Sequence, residues 1–146
     1  MAISLDEILD LGHRFHHVVG IEKGDAGAQA AFFLHPHPMI FVAHDADLTL
    51  QTNYEIHQGY ADEEYVFLEP WDVVQLCAEP ERARAVGAVL WRGNTVGGGA
   101  GDSISVVVGE DWIVQRTPDG DVKFALYVNT HHQSLPGAAN FSLPRD

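Results

Sequence analysis

The stretch Trp112–Ser134, WIVQRTPDGDVKFALYVNTHHQS, decides how the rest of the chain is read. Its centre, Thr117–Asp121 (TPDGD), sets proline, aspartate and glycine side by side, the chemistry of a tight reversal between two strands. Apolar and polar residues alternate on both sides of it. On the second arm an unbroken strand puts Val122, Phe124, Leu126, Val128, Thr130 and His132 on one face. The opposite face carries Lys123, Ala125, Tyr127, Asn129 and His131. Pairing across the turn sets Arg116, Val114 and Trp112 roughly opposite Val122, Phe124 and Leu126. The segment therefore reads as a long antiparallel hairpin with one apolar face to bury.

Upstream, Ile104–Val108 extends the first arm across an interruption at Gly109, after a glycine-rich loop at Asn94–Asp102. Ala85–Arg92 reads as a further strand. Tyr65–Leu68 and Val73–Cys77 read as strands bent around Pro70, since proline does not fit a regular ladder. Glu79–Arg82 (EPER) reads as a connection. Helical signals lie in front of this meander. Ser4 and Glu7 form a capping box, and Leu5, Ile8, Leu9, Gly12, Phe15 and Val19 recur at helical spacing, with His16 at the margin of that face. Ala26–Leu34 reads as a second helix, stopped by Pro36 and Pro38. Met39–Val42 and Leu48–Gln51 read as short strands around the turn Ala43–Asp47. Thr52 and Glu55 cap a third helix running to about Ala61.

Helices in front and strands behind predict an α+β fold, with the helices on one face of a curved antiparallel sheet that closes a conical pocket. One domain, 1–146, is expected, with its core over about 4–136 and a tail over 137–146. Hydrophobic residues make up 46% of the chain and charged residues 20%, an ordinary globular balance. Eight Lys and Arg against 21 Asp and Glu leave a formal charge of −13. That field repels nucleic-acid backbones and anionic membrane surfaces, so neither is an expected partner. No apolar run approaches the ~20 residues of a membrane span, and the acidic, amphipathic N-terminus does not read as a signal peptide. A cytoplasmic protein is expected. The single cysteine, Cys77, excludes an internal disulfide and cysteine-based zinc sites, and reads as packing within an apolar strand.

The element order, the hairpin Trp112–Leu126 and the ending His131–Pro136 (HHQSLP) resemble the nuclear transport factor 2-like superfamily, in particular its SnoaL-like proteins with the cystatin-like fold. The resemblance covers roughly Ser4–Pro136, and the ending is similar to a final strand closing in His-x-Ser. It implies a cone with the pocket on the concave sheet face, and a homodimer formed through the convex face. Members include ketosteroid isomerases, polyketide cyclases, scytalone dehydratase and limonene epoxide hydrolase. Others are non-catalytic ligand-binding or dimerisation domains.

The expected ligand is a small hydrophobic or carbonyl-bearing molecule. The expected chemistry is isomerisation, cyclisation, dehydration or epoxide hydrolysis by proton transfer, which needs no organic cofactor. His132, at the pocket end of an apolar stripe, is the first candidate for a general acid or base, because desolvation lowers an imidazole's pKa. The alternative is a core-edge histidine bonded to backbone. Asp45 and Asp47 are candidate bases if an apolar pocket raises their pKa, and ordinary turn residues otherwise. Tyr54, three residues from His57, is a candidate donor to a developing oxyanion, or an amphipathic residue at a helix–sheet edge. Asp72 is a further possible pocket carboxylate. Phe15, His16, Trp112, Phe124, Leu126 and Val128 are the expected ligand contacts. His13, His16, His17, His35 and His37 offer paired metal-ligand spacings, but without HExxH or a completing carboxylate no metal is expected.

Overall fold

The computed structural model describes residues 2–35, 39–41, 46–98 and 103–137. Helix α1 (Leu5–His16) starts at the expected box: Ser4 Oγ accepts from the Glu7 amide at 3.2 Å, and Glu7 Oε2 accepts from the Ser4 amide at 2.9 Å. Ile8, Leu11, Gly12, Phe15 and His16 form its buried stripe. The helix then widens into a π-helical turn, His17–Ile21. Helix α2 (Ala26–Ala30) is shorter than expected, because the sheet claims the residues just after it. Phe32 O accepts from the Phe124 amide at 2.8 Å and Leu34 N donates to Phe124 O at 2.9 Å. A backbone paired with a sheet cannot also close helical turns.

Strands β1 (Met39–Phe41) and β2 (Ala46–Leu48) make a short hairpin. The N-cap of helix α3 (Leu50–His57) is Thr49, three residues before the expected Thr52; its side chain accepts from the Thr52 amide at 3.0 Å. The expected strand over Leu48–Gln51 is thus split between β2 and α3. Gln29 and Asn53, both buried, tie α2 to α3 through a 2.9 Å side-chain bond.

Four long strands complete the sheet: β3 (Tyr60–Ala78), β4 (Glu81–Thr95), β5 (Ser103–Arg116) and β6 (Val122–Ser134). The two expected strands around Pro70 are one strand with a register shift between Leu68 and Asp72. The expected EPER connection shrinks to a turn at Glu79–Pro80. The sheet order is β2-β1-β6-β5-β4-β3, antiparallel throughout except that β1 runs parallel to β6. Cys77 is exposed near the β3–β4 turn, where its Sγ lies 3.4 Å from Glu79 O, so it is not core packing.

The alternation on β6 is corrected twice. Leu126 pairs with Ile113 but Phe124 with Val114, so Ala125 is an extra residue; Asn129 pairs with Glu110 but His131 with Gly109, so Thr130 is another. Each bulge moves the subsequent side chains to the opposite face. The inner face is therefore Val122 and Phe124, then Tyr127 and Asn129, then His132. Leu126, Val128 and Thr130 point outward.

The core is aromatic. Phe15 of α1 meets Phe124 and Tyr127 at ring distances of 5.5 and 5.4 Å, and Trp112 lies 4.9 Å from Trp71. Gly12 lets α1 approach this cluster, since a Cβ there would lie 2.7 Å from the Trp112 ring and 2.9 Å from Phe67. Gly12→Ala is expected to destabilise the fold by about 1–2 kcal/mol in urea unfolding, because overpacking outweighs the helix-propensity gain. A stabilised variant would contradict this packing.

Candidate functional site

Beneath α1, the π-helical turn and α3, the inner face of β3–β6 leaves a cavity of about 70 Å³. That is several times the ~10–15 Å³ needed to admit one ordered water. Phe15, Val19, Ile56, Val89, Val106 and Val108 supply its apolar walls, and two groups of polar side chains converge on it.

The first group centres on Glu110. Strand β5 buries Ile104, Val106, Val108, Glu110, Trp112 and Val114 in strict alternation, so a carboxyl group occupies an inward position between valine and tryptophan. Glu110 is 3% exposed. Trp112 Nε1 donates to its Oε2 at 2.9 Å, and the Tyr127 hydroxyl lies 3.4 Å from its Oε1. The amide of Asn129 sits 2.6 Å from Oε2 and 3.1 Å from Oε1. With the amide turned so that its nitrogen faces the carboxyl group, Asn129 donates to both oxygens. Burial pushes the Glu110 pKa well above the usual carboxylate range, against the opposing hydrogen bonds from Trp112 and Tyr127. Burial thus favours the protonated form of this group on the cavity wall.

The second group centres on Glu63, at the start of β3 and also 3% exposed. Its Oε1 accepts from His57 Nδ1 at 2.8 Å, from the Tyr65 hydroxyl at 2.7 Å and from Trp91 Nε1 at 2.8 Å. Its Oε2 accepts from Lys23 Nζ at 2.5 Å. Burial alone would raise this pKa, but His57, Lys23 and Tyr65 together hold it down to about 2. The two buried carboxyl groups are thus driven in opposite directions: burial raises the pKa of Glu110 on the cavity wall, whereas the partners of Glu63, behind the wall residues His57, Tyr65 and Trp91, lower its own.

A buried bridge joins them. The Tyr65 ring stacks on His16 at 4.4 Å, and His16 Nε2 lies 3.0 Å from the Tyr127 hydroxyl that reaches Glu110. Burial, with His13 and His57 nearby, lowers the His16 pKa to about 3, so the ring is neutral. Its Nδ1 is buried without a hydrogen-bond partner.

His132, His16 and Phe15 line the cavity. Trp112 and Phe124 are fully buried in the core, where Trp112 serves as a donor to Glu110. Leu126 and Val128 lie on the outer face because of the bulge at Ala125. Tyr54 is half-buried beside the α3 face that brings Asn53, Ile56 and His57 to the cavity, about 100° around the helix from Asn53. Asp72 is exposed on the outer side of β3. Asp45 and His37 lie outside the described residues, and Asp47 is described only through its backbone. Sequence reasoning missed Glu110, Glu63, Lys23, Tyr127 and Asn129. Strict period-two reading through Gly109 would have exposed Glu110. Among the described residues, no group of three His, Cys, Asp or Glu side chains is arranged to hold a metal ion, and no helix is long and apolar enough to cross a membrane.

The Glu110 carboxyl is protonated in the folded chain at pH values where it ionises in the unfolded chain. The unfolded chain then binds fewer protons, so this group's contribution to stability falls as pH rises above about 4.5. Glu110→Gln should show a melting temperature that gains on the wild type from pH 4 to pH 7. A constant difference would mean that Glu110 ionises normally. Glu63 has the opposite sign: its contribution is present above about 4.5 and is lost as pH falls towards 2.

No protein-family model and no curated protein matches the sequence. Solved structures match the fold. A ketosteroid isomerase-like protein from Erwinia carotovora atroseptica is 16% identical, with a TM-score of 0.59 over 86% of this chain and 93% of its own. A LinA-type hexachlorocyclohexane dehydrochlorinase from Novosphingobium barchaimii is 17% identical, with a TM-score of 0.62 over 95% and 94%. A conserved protein from Planctomyces limnophilus is 15% identical, with a TM-score of 0.66 over 88% and 95%. With helices laid on a curved sheet and a cavity between them, the chain has the nuclear transport factor 2-like, SnoaL-like fold.

Proposed function

We propose that the protein is a cofactor-independent proton-transfer enzyme acting on a small, uncharged, largely apolar molecule with a carbonyl or similar acceptor oxygen. The observation that carries this reading is Glu110, a buried carboxyl group whose pKa burial raises, held by Trp112, Tyr127 and Asn129 at the edge of an apolar cavity. In its protonated form a buried acid donates a hydrogen bond to an oxygen that gains negative charge, where low dielectric makes the bond worth most. The proton leaving carbon goes to an imidazole on the cavity wall. His132, at the end of β6, and His57, on α3, both hold that position. Enolisation, and the isomerisation, cyclisation or elimination that it initiates, needs only these two roles. Epoxide opening uses the same acid.

The test is deuterium uptake at the α-carbon of a panel of small cyclic enones and β-keto esters in D₂O, monitored by proton NMR. Wild-type protein is expected to accelerate uptake for at least one compound. Glu110→Ala should lower that rate by roughly 10²–10³-fold, the usual cost of one oxyanion donor. Binding without any acceleration across the panel would favour a non-catalytic ligand-binding domain instead.

A second copy of the chain is the partner proposed for the outer sheet face. Val66 and Val86 there are 44% and 39% exposed, and Val66, Leu90 and Val107 form an apolar row across β3, β4 and β5, with the Arg84–Asp111 ion pair beside Val86. Sedimentation equilibrium should give a dimer, and Val86→Glu should shift it towards monomer. A wild-type monomer at ~100 μM, well above the Kd of a stable dimer, would overturn this partner.

A further inference from the structure

The cavity wall formed by α3 and the start of β3 contains an arrangement that the proton-transfer reading does not by itself require. We infer that His57 is the base that takes the substrate proton, that Glu63 orients it, and that Lys23 is the positioning residue holding both. The inference rests on the proton-transfer reading and assigns one of its two open roles.

The geometry begins at His57. Glu63 is an acceptor from four side chains, so the 2.8 Å bond from His57 Nδ1 requires the ring proton to be on Nδ1. The lone pair is then on Nε2, in a ring that lines the cavity and whose side chain is 17% exposed. A carboxylate behind an imidazole fixes its tautomer and stabilises the imidazolium once formed.

Lys23 is the unusual part. It adopts φ +55°, a left-handed conformation that is strained for a non-glycine residue. From there its ammonium group donates to Glu63 Oε2, to His57 O at 3.0 Å and to Tyr60 O at 2.8 Å. One side chain thus ties the end of the π-helical turn to the last turn of α3 and the first residue of β3. It fixes the backbone of the base and the carboxylate of its partner together.

The step balances with the groups present. Nε2 takes a proton from the carbon next to the carbonyl, and the C–H electron pair becomes the enolate π bond. The carbonyl oxygen gains the negative charge and receives the hydrogen bond from Glu110. The imidazolium returns the proton to carbon, at the same or a conjugated position, and no oxidant or second reactant is consumed. The charged and titratable groups around His57 are Glu63, Tyr60 and Tyr65 from β3, Lys23 after the π-helical turn, and His16 from α1.

The two neighbouring charges give opposite expectations. Removing the anion with Glu63→Gln disfavours the imidazolium, so the acid limb of the exchange-rate profile should move to lower pH while the maximal rate falls. Removing the cation with Lys23→Met favours the imidazolium, so that limb should move to higher pH. A merely structural role would not shift the profile in opposite directions. His57→Gln should reduce deuterium uptake about 10²–10⁴-fold, the span of general-base catalysis, and by more than His132→Gln does. A mutation-free readout accompanies these: ¹⁵N NMR of the wild-type imidazoles should place the neutral His57 proton on Nδ1. Full activity in His57→Gln, shifts of the same sign in both charge variants, or a proton on Nε2 would overturn the assignment and leave the role of Glu110 standing. An inactive wild type would overturn both.

Discussion

The site depends on the pairing of β5 with β6. Strand β5 keeps strict alternation from Ile104 to Val114, whereas β6 takes in two extra residues, Ala125 and Thr130, over the same length. Those bulges bring Tyr127 and Asn129 inward beside Glu110 and then turn His132 inward beside Val108. Without the first bulge, Leu126 and Val128 would face Glu110. An ionisable group would then be buried among methyl groups, at a cost of several kcal/mol.

Charge inside the molecule is governed by local partners and not by the net value of −13. Glu63 and Glu110 are equally buried and both belong to strands, yet the pKa of one is lowered and that of the other raised. The difference is one ammonium and one imidazole. Lys23 and His57 compensate the desolvation of Glu63, whereas Trp112, Tyr127 and Asn129 offer only neutral hydrogen bonds to Glu110. Tyr65, His16 and Tyr127 pack between the two carboxyl groups and keep their spacing rigid.

The element order, the capping box at Ser4, the TPDGD reversal and the strand that breaks stride near Pro70 were all legible in one dimension. Each is a local preference of a few residues. The errors fell where local preference met tertiary competition. Ala31–Leu34 has the composition of a helix but pairs with Phe124; Thr49 and Thr52 are equivalent caps until β2 sets where the chain arrives. Of the site, the sequence showed His132, His16 and Phe15 as inward-facing candidates. It also pointed to Tyr54, Leu126 and Val128, which lie elsewhere. A bulge has no reliable sequence signal, and each one reverses every assignment beyond it.

Hydrophobic periodicity, turn chemistry and capping thus determined an α+β chain with helices laid on an antiparallel meander, because these are short-range effects written in neighbouring residues. Which carboxyl groups enter the interior, and in which charge state, was decided by the folded structure alone. Burial of Glu110 and rescue of Glu63 by Lys23, forty positions away, arise from contacts that exist only after the sheet has curved and the helices have closed over it.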